Sequence, residues 1–177
     1  MARIAFIGGT GPEGLGLAIR FAKAGEEVFI GSRSEERAAQ AVAKVLEKVP
    51  EAKVRGGLNA EACQAGDIIF VTVPYEGHRE TLQSLAEAID EKILVDVVVP
   101  LQFGGHGVRA LSVPEGSAAE QARALVPGAK VVSGFHHLDA TLLQNVEKPM
   151  QGDVIICSDH RSAKRKVMEL AEKIAYL

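Results

Sequence analysis

Between the apolar run Ala2–Ile7 and the helical pattern Gly14–Ala24 the chain reads Gly8-Gly9-Thr10-Gly11-Pro12-Glu13-Gly14. Glycine crowds where backbone turns with positive φ or lies close against another surface, and both needs coincide where a strand hands over to a helix above a phosphate. Gly9, Gly11 and Gly14 fall in the spacing G-x-G-x-x-G, directly after a strand-like run and at the opening of a helix. In that context the motif signals a dinucleotide-binding βαβ unit. Gly9 is expected to make the tight turn, Gly11 to let backbone approach a pyrophosphate, and Gly14 to let helix and strand pack closely. The unpaired N–H groups of the helix start face the phosphates.

The remainder of the chain alternates apolar runs with helical patterns. Glu27–Ile30 is a strand, and Ser34–Val49 is a helix opened by a Ser with Glu-Glu-Arg behind it and stopped by Pro50. A weak strand at Lys53–Val54 and a short helix at Asn59–Gln64 follow. Asp67–Val73 is almost continuously apolar, which suits a strand covered on both faces, and Pro74 ends it. Helix Glu76–Ile89, strand Lys92–Val95, helix Ser117–Leu125, strands Lys130–Val132 and Asp153–Cys157, and helix His160–Ala175 complete the pattern. The alternation predicts an α/β fold, a single domain over residues 1–177 with a doubly wound, Rossmann-type parallel sheet. Val97–Pro114 has no clear period, and an irregular stretch of that length inside a compact domain is more often functional than idle.

The end of the second strand separates the two dinucleotides. A site for NAD usually carries Asp or Glu about 20 residues beyond the glycine motif, accepting from the ribose hydroxyls. Here the strand ends Ile30-Gly31-Ser32-Arg33-Ser34, with no carboxylate. Ser32 can donate to a 2′-phosphate, Arg33 can form a charge-assisted pair with it, and Arg37 can point the same way one turn later. NADP(H) is therefore the expected cofactor.

Composition narrows the remaining classes. With 177 residues, 47% of them hydrophobic, the chain can bury a substantial core. A net charge of -3, with basic residues spread thinly except at His160–Lys166, argues against nucleic acid as a partner. No apolar run approaches the roughly 20 residues needed to cross a bilayer, so no membrane partner is expected. Cys63 and Cys157 lack metal-ligand spacing and read as buried structural thiols suited to a reducing cytoplasm. No Ser/His/Asp or Cys/His arrangement stands out, so hydrolysis and metal catalysis are poorly supported and no metal site is expected. His136 and His137 follow the Lys130–Val132 strand at the end where open α/β sheets bind ligands. His78 and His106 read as solvent-facing loop or helix-start positions, and His160 as helix-start surface.

The segments GGTGPEGLGLAIRFAKAGEEVFIGSRSEERA, VTVPYEGH, VVVPL and PEGSAAEQARALVPGAKVVSGFHHLDA together resemble the NADPH-dependent coenzyme F-420 reductases, which are deazaflavin:NADP oxidoreductases. The resemblance runs from Met1 to about Ile174. The glycine loop is shared by many families, whereas the GSAAEQARALVPGAKVVSGFH block and the GSR strand end are more specific. The resemblance implies hydride transfer between C4 of the nicotinamide and C5 of the deazaflavin, a reaction that asks the protein for positioning and exclusion of water. It also implies that Thr10, Gly11, Pro12 and Glu13 wrap the pyrophosphate, that Ser32, Arg33 and Arg37 hold the 2′-phosphate, and that Thr72, Val73, Pro74 and the Val98-Val99-Pro100 turn line the nicotinamide and ribose. His136 matches a position beside the reacting rings, in a positioning role, with Leu138 and Ala140 as neighbours there. His137 departs from the small hydroxyl residue of the family and Asp139 from an apolar one. Family members continue with a further C-terminal segment that helps complete the deazaflavin pocket, whereas this sequence stops at Leu177. The expectations are an NADP(H):F-420 oxidoreductase acting as a cytoplasmic homodimer, a reductase of another small acceptor such as an imine, ketone or flavin, or a non-catalytic NADP(H)-binding sensor.

Overall fold

In the computed structural model, which describes residues 1–105, 107–150 and 152–174, the glycine loop joins β1 (Arg3–Ile7) to α1 (Pro12–Lys23). β2 (Glu27–Ser32), α2 (Glu35–Lys48), β3 (Val54–Leu58), α3 (Asn59–Ala65), β4 (Ile68–Val71), α4 (Tyr75–Ile89) and β5 (Ile93–Asp96) continue the alternation. An antiparallel hairpin of β6 (Leu101–Gly104) and β7 (Gly107–Ala110) follows. Then come α5 (Ala118–Leu125), β8 (Lys130–Ser133), a short α6 (Ala140–Gln144) and α7 (Arg161–Ile174). The main sheet has six strands in the order β3-β2-β1-β4-β5-β8, every pair parallel. This is the doubly wound Rossmann-type sheet read from the sequence. Its strand order reverses between β1 and β4, and such a reversal opens a crevice at the carboxyl ends of the strands.

Side-chain alternation along the strands divides the core. Ile4 and Phe6 of β1 face one side, with Leu17, Val45 and Val167 from α1, α2 and α7, while Ala5 and Ile7 face the other, with Cys63, Leu82 and Ala122 from α3, α4 and α5. Because both faces are covered, β4 and β5 are buried along their whole length. Phe6, Phe21, Phe70 and Phe135 form one aromatic cluster on the first side, with ring centroids 5.2 to 6.4 Å apart. Pairs of that kind contribute about 0.5–1.5 kcal/mol each beyond the area they bury. Phe135 makes these contacts from a left-handed backbone, φ 66°, which turns the chain so that the next residue, His136, faces outward and is exposed.

The structure corrects the sequence reading at several points. Val97–Pro114 is not irregular, because it contains the β6–β7 hairpin, with Phe103 76% exposed at its tip. Asp153–Cys157 is not a strand. Only Cys157 pairs, in a single antiparallel bridge with Ser133, and Ile155 stays exposed, so the segment lacks the buried face that would extend the ladder. β3 runs to Leu58 through Gly56 and Gly57, because pairing with β2 overrides their weak strand preference. α6 is only five residues long, too short to show a helical period, although Asp139 caps its start. Cys63 is buried as expected, its thiol pushed up to about 12 by desolvation, whereas Cys157 is exposed. His78 is not at the surface but completely buried. His106 and the end of the predicted His160–Ala175 helix lie outside the described residues.

Candidate cofactor site

The glycine loop forms the floor of the crevice, with its three roles distributed differently from the motif's usual assignment. Gly8, not Gly9, has the positive φ, at 71°, and its N–H donates to Asn59 Oδ1 at 3.2 Å. Gly9 instead answers a packing need: a Cβ there would lie 2.6 Å from Phe6 Cβ and 3.2 Å from Ile30 Cγ2. A Cβ on Gly11 would meet nothing closer than 3.7 Å, so this backbone is open to approach. α1 begins after Gly11 with Pro12 and no capping side chain, which leaves its N-terminal dipole and N–H groups directed at that opening.

Gly14 is the tightest point, since a Cβ there would stand 2.4 Å from Thr72 Oγ1 and 2.9 Å from Gly9 Cα. Thr72 cannot simply yield, because its hydroxyl donates to the Ile7 carbonyl at 3.0 Å. Gly14→Ala should therefore cost about 1–3 kcal/mol of stability through overpacking. Thermal unfolding of the variant checks this; an unchanged midpoint would show that the helix and strand can part without cost.

Around this floor a cleft of about 360 Å³ gathers Thr10, Gly11, Ser32, Arg33, Arg37, Thr72, Val73 and Pro74, residues singled out from four separate stretches of sequence. Asn59, Glu76, Gly77 and Thr81 line it as well. These were missed, although Asn59 follows β3 and Glu76 follows β4, and every loop at the carboxyl end of a sheet is a candidate wall. Ser34 caps α2 by accepting from the Arg37 N–H at 3.3 Å, which fixes the helix that carries Arg37. Both Arg33 and Arg37 are exposed and neither enters an ion pair among the described residues. The cleft thus offers an open backbone, an uncapped helix start and two uncommitted guanidiniums, a donor set that fits a dinucleotide with an added phosphate.

Glu13 turns away from this cleft. One of its carboxylate oxygens is buried with no hydrogen-bond partner, and desolvation, helped by the charge of Asp139, pushes its pKa up to about 7. A carboxyl that is largely neutral below that value opposes a nearby pyrophosphate less than a full anion would. Asp139 is held by α6, accepting from the Thr141 and Leu142 N–H groups at 2.7 and 3.0 Å, and these bonds lower its own pKa. Leu138 packs against the core beside α1, and the Ala140 carbonyl lies 3.4 Å from where a Cβ on Gly16 would be.

A second hollow, of about 310 Å³, adjoins the ends of β5 and β8. It brings together Val98, Val99 and Pro100, the first turn of α5 and its cap at Ser117–Ala119, and the exposed His136. Its lining is chiefly apolar. His137 is engaged elsewhere, with Nε2 2.5 Å from the Asp153 carbonyl. Among the described residues no group of three or more His, Cys, Asp or Glu could hold a metal, and no helix is long and apolar enough to cross a membrane.

Comparison with known proteins agrees with this geometry. The family described as coenzyme F-420-dependent NADP oxidoreductase matches residues 3–100. The chain is 43% identical over 178 residues to the F-420-dependent NADP reductase of Methanothermobacter thermautotrophicus, covering 97% of this chain and 77% of that one. It is 44% identical over 178 residues to the F-420-dependent NADP reductase of Methanothermobacter marburgensis, with 97% and 80% covered. The crystal structure of a candidate F-420-dependent NADP reductase from Arthrobacter sp. FB24 superposes with a TM-score of 0.81 at 28% identity, covering 99% of this chain and 82% of that one. With a glycine-floored cleft, a family match over residues 3–100 and relatives 43% and 44% identical over 97% of its length, this chain belongs to the family of coenzyme F-420-dependent NADP oxidoreductases.

Proposed function

We propose that the chain is an oxidoreductase that transfers hydride between NADP(H) and coenzyme F-420. The observation that carries this reading is that two hollows open at the ends of paired strands: β4 leads to Val73-Pro74 in the cleft that holds Arg33 and Arg37, and its neighbour β5 leads to Val98-Val99-Pro100 in the apolar hollow. When bound, the two cofactors supply the whole of the redox chemistry. The protein's part is to hold them. Thr10, Gly11, Pro12 and Glu13 present backbone to the pyrophosphate, with Gly9 and Gly14 giving the loop its shape, and Ser32, Arg33 and Arg37 take the 2′-phosphate. Thr72, Val73, Pro74, Val98 and Val99 form the partition against which the nicotinamide rests, with Leu138 and Ala140 supporting the loop beyond β8. His136, exposed at the rim of the second hollow, orients the acceptor ring. The apolar lining excludes water from the transfer, as positioning catalysis requires.

The two unpaired thiols suit a reducing cytoplasm. Phe103 and Val108, paired across the exposed hairpin, offer an apolar face to a second copy in a homodimer. Light scattering on the purified protein tests the dimer, and a monomer at every concentration overturns it.

The activity is tested by anaerobic stopped-flow mixing of the protein and NADPH with coenzyme F-420, following nicotinamide and deazaflavin absorbance together. Saturable transfer with one NADPH consumed per F-420 reduced is expected. Tight NADPH binding without transfer would overturn the acceptor assignment in favour of another small acceptor or a sensor.

A further inference from the structure

The cofactor reading leaves the buried polar centre of the molecule unused. The His78 ring on α4 is wholly enclosed, with Nε2 2.7 Å from Asp96 Oδ2 at the end of β5 and Nδ1 2.9 Å from Gln121 Oε1 on α5. Both contacts are to oxygen. Gln121 is held in that orientation because its Nε2 donates to the Glu115 carboxylate at 3.0 Å and reaches the Tyr75 hydroxyl at 3.5 Å. A carboxylate only accepts, so turning the amide round would set two acceptors against each other. With Asp96 accepting on one side and the Gln121 carbonyl on the other, both ring nitrogens of His78 must donate. The ring is an imidazolium.

The surrounding charges support that state. Burial by itself disfavours a charged ring, but the hydrogen bond and charge of Asp96, joined by Gln121, outweigh it and hold the pKa of His78 above its ordinary value. Arg79 acts in the opposite sense, but it is paired with Glu115. Tyr75 stacks on the ring with centroids 6.2 Å apart.

The three elements tied to His78 each give a wall to the site. α4 contributes Glu76, Gly77 and Thr81 to the cofactor cleft, and the first turn of α5 and its cap contribute Ser117–Ala119 to the second hollow. From β5, Asp96 passes the contact on, since its Oδ1 accepts from the Val98 N–H at 3.0 Å and so fixes the turn that lines the second hollow.

We propose that protonated His78 is a positioning residue for hydride transfer, the pin that holds the walls from α4, β5 and α5 in register between the cofactor cleft and the acceptor hollow. This rests on reading those hollows as the NADP(H) and acceptor sites. When the ring loses a proton, the one that remains stays with Asp96. An Nδ1 lone pair then faces the Gln121 carbonyl at 2.9 Å, and α5 is released together with its share of the acceptor wall. The sign follows from the raised pKa: the stabilisation is complete below the ordinary histidine value and is lost as pH rises through the raised one.

Two measurements on the full chain test the proposal. In the ligand-free protein, NMR should show both ring N–H groups of His78 at about pH 6, and the amide signals of Val98 and Ala118 should shift with the same midpoint as the ring. In single-turnover transfer from NADPH to F-420, the rate should fall on the alkaline side with that midpoint while the NADPH Kd changes by less than about threefold. His78→Gln keeps a donor opposite Asp96 but cannot titrate. It should flatten both profiles and retain more of the neutral-pH rate than His78→Leu, which should lose about tenfold or more. An alkaline fall that survives in His78→Gln overturns the proposal, as do Val98 and Ala118 signals that ignore the titration of the ring. A wild-type chain that transfers no hydride at any pH overturns the acceptor reading instead, and the ligand-free titration still decides the role of His78.

Discussion

Exchanging Ser32 for Asp and Arg33 for Ala in one chain should raise the Kd for NADPH by about 100-fold or more while leaving the Kd for NADH within about threefold. Ser32 is almost fully buried at the end of β2, where its hydroxyl also accepts from the Ser34 N–H at 3.2 Å, so its direction is fixed. Arg33 stands next to it, exposed, and Arg37 lines the same cleft from α2. A charge-assisted contact to a phosphate contributes about 1.5–3 kcal/mol, and losing it while gaining a repelling carboxylate compounds the effect. NADH carries no 2′-phosphate and loses neither contact; the new Asp can accept from its ribose hydroxyls. Fluorescence titration with both dinucleotides reads the outcome. Equal losses for the two would overturn the assignment of the phosphate to this end of the cleft.

Arg20→Met should destabilise the protein by about 2–4 kcal/mol, a fall of roughly 5–15 °C in Tm for a domain of this size. Arg20 is 0% exposed on α1, with no carboxylate among its hydrogen-bond partners. Main chain meets its charge on two of three nitrogens: Nε donates to the Leu143 carbonyl at 2.9 Å and Nη2 lies 2.7 to 2.9 Å from the carbonyls of Leu142, Asn145 and Lys148, while Nη1 is buried with no partner among the described residues. Lys23, one turn on, donates to the Val146 carbonyl at 2.6 Å. Leu142 and Asn145 also accept from the main-chain N–H groups of Asn145 and Lys148, whereas no main-chain partner meets the carbonyls of Leu143 and Lys148 among the described residues, so the Arg20 side chain acts as the cap of that segment. Methionine fills the space but leaves the buried Leu143 carbonyl without a donor and removes the one side chain that ties it to the carbonyls of Leu142, Asn145 and Lys148. Arg20→Lys should recover little, because a single ammonium cannot reach the whole set. Because α6 also carries Asp139 against the neutral-leaning Glu13, the same variant should weaken NADPH binding in chains that remain folded. Thermal unfolding and NADPH titration together check this, and a Tm within a few degrees of the parent would overturn the capping role.

Much of the site was legible because it is local. The glycine spacing, the strand before it, the helix after it and the Ser32-Arg33 strand end all fall within one βαβ unit, where backbone geometry and one pairing register place every residue. The lesser errors show where locality fails. Gly9 looked like the turn residue, but the turn is at Gly8, and only the approach of Phe6 and Ile30 explains Gly9. Asn59 is local to nothing in the motif. It reaches Gly8 because β3 and β1 flank β2 in the sheet.

The sequence by itself determined the α/β alternation, the dinucleotide loop and the preference for a 2′-phosphate, because each depends on residues close together along the chain and on the fixed geometry of a strand meeting a helix. The tertiary structure alone decided what lies behind the site. His78 reads as a surface residue until α5 docks and brings Gln121 to it, and Arg20, which no sequence pattern marks, gains its role only when α6, more than a hundred residues later, presents its carbonyls. Val97–Pro114 reads as formless until β6 and β7 pair. For His78 and Arg20 the partner that fixes the side chain's chemistry is distant in sequence, and a buried polar group takes its charge and direction from whatever packing brings against it.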